Sequence, residues 1–159
     1  MPKGRELVGL PVISQDQGEE LGRVQDLLYD EQAGCLKGLL LADGGWLRQS
    51  QVVDFARLAG RGPKSFTVTG AGDVSHELPS GARRWQEIKG LRLLNQEGEE
   101  LGLVEDLVVD LPSGQVQALE ISTGLVNDLL EGRREVPLGG AVNWGTDAIT
   151  LNQSHLAEE

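Results

Sequence analysis

The side chains of this 159-residue sequence that could do chemistry come in pairs. Asp26 and Asp106, and Asp30 and Asp110, stand in two near-identical settings eighty residues apart, and Glu19, Glu20, Glu99 and Glu100 accompany them. Paired carboxylates can hold Ca²⁺ or exchange protons, but these lack the dense spacing of a calcium loop. The simpler chemistry is local. Asp30 and Asp110 open turns by accepting backbone N–H groups, Asp26 and Asp106 bond nearby backbone, and the glutamates are solvated hairpin residues.

Other reactive groups are isolated. His76 lies in a linker and His155 in a polar tail, poor places for a metal ligand or a catalytic base. Cys35 is the single cysteine, so it builds neither an intrachain disulfide nor a cysteine metal cluster, and with Lys37 as its basic neighbour it is not an activated thiolate. The 22 glycines form neither Gly-x-Gly-x-x-Gly nor a Gly-Lys-Ser/Thr phosphate loop. Catalytic, cofactor and metal residues are therefore all assigned as none. Aromatic residues are scarce at 4%, yet three are tryptophans. Trp46, Trp85 and Trp144 are the candidate partner-binding residues, since Trp is enriched at interfaces; the competing role is to plug barrel ends or the seam between units. Arg83-Arg84 and Arg133-Arg134 are the basic clusters, too few to make a nucleic-acid footprint in a chain of net charge -11. Their expected use is in ion pairs.

The elements that hold these residues repeat. Gly18, Glu19, Glu20, Leu21, Gly22, Val24, Asp26, Leu27, Asp30 and Gly34 all recur identically eighty residues on, from Gly98 to Gly114, so the chain reads as two related units in tandem. In the first unit a β-rich run, Leu7–Ile13, leads through the polar cluster Ser14–Gly18 into Glu20–Tyr29. That stretch fits helical spacing as well as strand, but tight turn signals on both sides and the valines of the second copy favour strand, with Gly22 marking a bulge. After the Asp30–Gly34 turn a third strand spans Leu36–Leu41. Gly44-Gly45 turns the chain into Trp46-Leu47, and β-like pieces at Gln51–Val53 and Ser65–Thr69 complete about six short strands, the pattern of a small barrel. The second unit replays this from Ile88–Leu94, inserts the helically spaced Leu125–Glu131, and ends on Val136–Leu138 and Ala148–Leu151.

Gly9-Leu-Pro-Val, Gly18-Glu-Glu-Leu-Gly-Arg-Val-Gln-Asp-Leu, Asp30 and Gly34, then an apolar strand, resemble the PRC-barrel domain. The second copy resembles it too, including Val136-Pro137-Leu138 and Asp147–Leu151. The resemblance implies a small β-barrel, known from the H subunit of the photosynthetic reaction centre and from the C-terminal domain of the ribosome maturation factor RimM, with no catalytic constellation to carry over. This chain departs from both settings. It has no membrane-spanning helix like that of the H subunit and no RimM-type N-terminal domain, and the first unit has Val53-Asp54 where the second has Val136-Pro137.

The expectation is an all-β protein of two tandem small antiparallel β-barrels, residues 4–70 and 85–152, with a short helical turn in the second, a linker over 71–84 and a polar tail over 153–159. Its expected function is that of a non-catalytic cytoplasmic adaptor docking a protein partner, as a monomeric pseudo-dimer or a homodimer, without membrane span and without nucleic acid. The rival functions are a ribosome- or RNA-linked assembly factor and a small-molecule or metal-binding barrel.

Overall fold

A computed structural model of the chain describes residues 1–42, 50–139 and 142–152. In the first unit a helical turn α1 (Gly4–Leu7) precedes strands β1 (Pro11–Ser14), β2 (Glu20–Arg23), β3 (Asp26–Asp30), β4 (Cys35–Ala42), β5 (Gln51–Asp54), β6 (Gly60–Arg61) and β7 (Phe66–Val68). The second unit matches it with α2 (Trp85–Ile88), β10 (Arg92–Leu94), β11 (Glu100–Val109), β12 (Val116–Ser122), α3 (Leu125–Glu131), β13 (Arg134–Pro137), β14 (Val142–Trp144) and β15 (Ala148–Leu151). Between them, β8 (Val74–Ser75) pairs with β5 and β9 (Ala82–Arg84) pairs with β3. The segment expected as a linker thus lies along both edges of one sheet.

Three sheets result, with strand orders β2-β1-β7-β6, β8-β5-β4-β3-β9 and β13-β12-β11-β10-β15-β14. In the second unit β11 runs unbroken and belongs to one six-stranded sheet, whereas the first unit breaks the same stretch into β2 and β3 and carries two sheets. Both copies bulge where predicted: Val12 faces Gly22 but Ile13 faces Glu20, and Leu93 faces Gly102 but Leu94 faces Glu100. The extra residue, Leu21 or Leu101, adds local twist. Two expectations need correcting. Each unit has one parallel pairing, β1 with β7 and β10 with β15, and among the described residues no pairing joins the two ends of any sheet into a closed cylinder. The runs expected as first strands also begin late, because Leu7 and Ile88 close α1 and α2 instead. Four residues are too few to show a helical period.

One hydrophobic core crosses both units. It includes Leu7, Leu27, Leu39, Phe55 and Phe66 of the first with Trp85, Ile88, Leu107, Leu119, Ile121 and Ile149 of the second. The units meet about a pseudo-two-fold axis at their Asp-to-Gly turns. Leu36 N–H donates to Gly114 O at 2.8 Å and Val116 N–H to Gly34 O at 3.0 Å, the same bond viewed from either side. Gly34 and Gly114 hold positive φ (69° and 79°), the left-handed turn conformation glycine adopts without strain.

Candidate functional site

Asp26 and Asp106 each hold the N-terminal helical turn of the other unit. Asp26, fully buried on β3, accepts Leu27 N–H on Oδ1 at 2.8 Å, and Arg84 Nε and Gln86 N–H of the second unit on Oδ2 at 3.0 and 3.4 Å. Asp106 on β11 accepts Leu107 N–H on Oδ1 at 2.8 Å, and Arg5 N–H and an Arg5 guanidinium nitrogen of the first unit on Oδ2 at 3.1 and 3.2 Å. Arg5 in α1 and Gln86 in α2 are equivalent second residues of their turns. The N–H groups there have no intrahelical partner, so a carboxylate satisfies them well. The backbone completes the exchange: β9 pairs with β3, while Lys3 bridges to Val108 and Val109 N–H donates to Pro2 O. The local bonds were legible in the sequence; the grip on the opposite unit was not, because it joins residues that no spacing relates.

Asp30 and Asp110 open turns. Asp30 accepts Gln32 and Ala33 N–H, and Asp110 accepts Ser113 N–H and Oγ–H. The Ala33 bond, joined by those from Gln32 and Lys37, outweighs desolvation and holds the Asp30 carboxyl below its ordinary range.

A charged cluster that sequence reasoning passed over sits beside Asp106. Glu120 is only 2% exposed on β12, yet it receives Lys3 Nζ, Arg5 at 2.9 Å and Arg133 at 3.3 Å. Burial pushes its carboxyl up, but hydrogen bonds from Lys3, Arg5 and Arg133 together win and hold it below its ordinary range. The signal was a lone Glu within the apolar run Ala118-Leu119-Glu120-Ile121. Arg133 also lies 3.9 Å from Asp128, which accepts Ser122 Oγ–H at 2.6 Å and Thr123 N–H at 3.2 Å. Through Arg133 the cluster ties the loop after α3 to the N-terminus.

Of the three tryptophans, the structure describes Trp85 and Trp144, and they sit differently. Trp85 opens α2 at 4% exposure within the core, so it fills the seam and is not available as a surface anchor. Trp144 is half-buried and tilts against Tyr29 across the seam, ring centroids 4.6 Å apart. Burial, with the nearby Cys35, Asp30 and Glu31, pushes the Tyr29 phenol above its ordinary value. Trp46 and His155 lie outside the described residues. His76 is exposed, its Nδ1 3.0 Å from Ser50 O. Among the described residues, no three His, Cys, Asp or Glu side chains gather as metal ligands would, and no helix is long and apolar enough to cross a membrane.

What stands out on the surface is α3. Val126, Leu129 and Leu130, at i, i+3 and i+4, are 67%, 78% and 77% exposed. Three large aliphatics on two adjoining turns form one apolar face. The helically spaced Leu125–Glu131 run was visible in the sequence. That its apolar side faces solvent was not, since the same spacing describes a helix packed on a core.

The PRC-barrel domain model matches residues 3–69 and 81–157, one match on each unit. The chain belongs to the PRC-barrel family. This PRC-barrel chain is also similar to the uncharacterized protein YrrD of Bacillus subtilis (strain 168), 28% identical over 156 residues that cover 92% of this chain and 85% of that one.

Proposed function

We propose that this chain is a non-catalytic docking module whose two interlocked units present α3 to a protein partner. The exposed face Val126, Leu129 and Leu130 carries the reading. Burying such a side chain is worth about 2 kcal/mol, so three in a row give a partner a substantial anchor, and i, i+3, i+4 spacing suits insertion into an apolar groove. The surroundings support rigid presentation. Asp128 fixes the entry to the helix through Ser122 and Thr123, and Arg133 fixes the exit through Glu120. Asp26, Asp106, Asp30 and Asp110, by contrast, are used in the seam and turns, and Glu120 in its ion cluster.

The test is capture from native lysate on the immobilised full chain and on its Leu129→Asp/Leu130→Asp variant. The reading expects a stoichiometric protein held by the native chain and lost by the variant, with both chains equally folded. Equal capture by both, or recovery of RNA released by moderate salt, would displace α3 as the docking element and move the function toward the assembly-factor alternative.

A further inference from the structure

The pseudo-symmetry gives the seam two equivalent mouths, and they differ in what fills them. Cys35, Leu36 and Phe55 line the first; their counterparts Gln115, Val116 and Leu138 line the second. Arg61 and Trp144 are also counterparts, since Arg61 pairs with Phe66 of β7 as Trp144 pairs with Ile149 of β15. In the second mouth the Trp144 indole lies against Tyr29 and leaves about 410 Å³. The first mouth has no such plug: Arg61 lies over the Phe55 ring, 4.1 Å from its centroid, and the cleft is about 780 Å³. That volume suits a small organic ligand, and the lining comes from the first unit and the segment that follows it, with Ser113 contributed by the second.

Charge defines the ligand. Five charged side chains border this cleft, Asp30, Lys37, Asp54, Arg61 and Glu77. Lys37 pairs with Asp30. Arg61 is spent on the Phe55 ring and on the carbonyls of Phe55, Leu111 and Pro112. Asp54 and Glu77 remain as carboxylates whose side chains make no ion pair or hydrogen bond among the described residues, and the cleft is also lined by the buried Leu36 and Phe55 and the exposed Leu78. We infer that this cleft binds a small organic cation with an apolar body, an alkyl- or arylalkyl-ammonium, its tail against Leu36 and Leu78 and its ammonium on Asp54 and Glu77. Neither docking on α3 nor the family assignment requires this site.

The experiment is a titration of the ¹⁵N-labelled full chain with hexylammonium, hexanol and hexanoate, followed by amide shifts. Hexylammonium should give saturable shifts confined to residues 35–37, 54–56 and 75–80. Hexanol should bind more weakly and hexanoate not at all. Asp54→Asn/Glu77→Gln, whose rim positions leave the rest of the spectrum unchanged, should weaken hexylammonium roughly tenfold, as expected for losing a charge-assisted contact. Non-saturating or dispersed shifts, shifts centred on 125–131, equal response to hexanoate, or unchanged affinity in the double variant would each overturn the proposal. Tighter binding of a capped lysine peptide would overturn it in favour of a protein side chain as occupant.

Discussion

The two units share their turns and seam aspartates and use one matched position in opposite ways. In the first, Leu40 of β4 faces Val52 and packs with Leu28 into a small apolar cluster beside Ala82. In the second, Glu120 of β12 faces Glu135 and collects Lys3, Arg5 and Arg133. The same sheet position thus serves as core in one unit and as an ionic clasp in the other. The clasp ties chain segments that the apolar version leaves alone: the N-terminus and the loop that ends α3. What both units keep is the turn chemistry and the seam aspartates, which set the geometry; what one unit changes is what that geometry holds. Helix α3 lies in the unit that changed.

Exchanging the two solutions breaks the comparison most severely. Leu40→Glu buries a carboxylate among Leu28 and Val52, and Arg84, opposite Leu28 on β9, is already held by Asp26. It should cost at least about 3 kcal/mol, the range for a poorly paired buried charge, read as a fall in the urea midpoint at unchanged m. Removing the seam carboxylates ranks next. Asp26→Ala strands Gln86 N–H and should cost about 2–3 kcal/mol. Asp106→Ala should cost less, since Arg5 keeps Glu120. The reverse exchange, Glu120→Leu, should cost only about 1 kcal/mol at neutral pH, because Lys3, Arg5 and Arg133 all reach solvent.

The same cluster sets a pH dependence. The folded Glu120 carboxyl lies below the ordinary glutamate value of about 4.3. Its stabilisation is therefore complete above that value and lost as pH falls through the folded one, where the unfolded chain binds the extra proton. Asp30 adds to the same acid limb. Glu120→Gln should make the fall in stability below about pH 4.5 shallower, measured by urea midpoints at successive pH values. The smallest stability effect should come from Leu129→Asp/Leu130→Asp, within about 0.5 kcal/mol of the native chain, as for exposed positions. A large loss would mean that the α3 face packs against the protein's own surface.

The fold was legible where constraint was local. Asp30-to-Gly34 and its copy announced a turn because Asp must accept and Gly must take positive φ, and Gly22 announced a bulge. The apolar run Leu36–Leu41 after the first turn, and its copy, announced β4 and β12. The four-residue α1 and α2 were too short to show a period, and the segment over 71–84, read as a linker for its Gly, Ser and Pro, pairs at both ends through β8 and β9 with hydrogen bonds that need no apolar pattern. Of the candidate site, Trp85 lies in the core shared by the units and Trp144 is half-buried against Tyr29. The exposed face of α3 could not be read in advance, since orientation depends on what the helix lies against.

The interlock itself is best tested by urea unfolding of the full chain, followed at once by far-UV circular dichroism and by tryptophan fluorescence, which reports on the seam through Trp85. Two units that each hold the other's helical turn should unfold in one coincident transition, and Asp26→Ala should move both signals by the same amount. Two separate transitions, or a shift confined to one signal, would contradict it and leave two independent barrels on a tether.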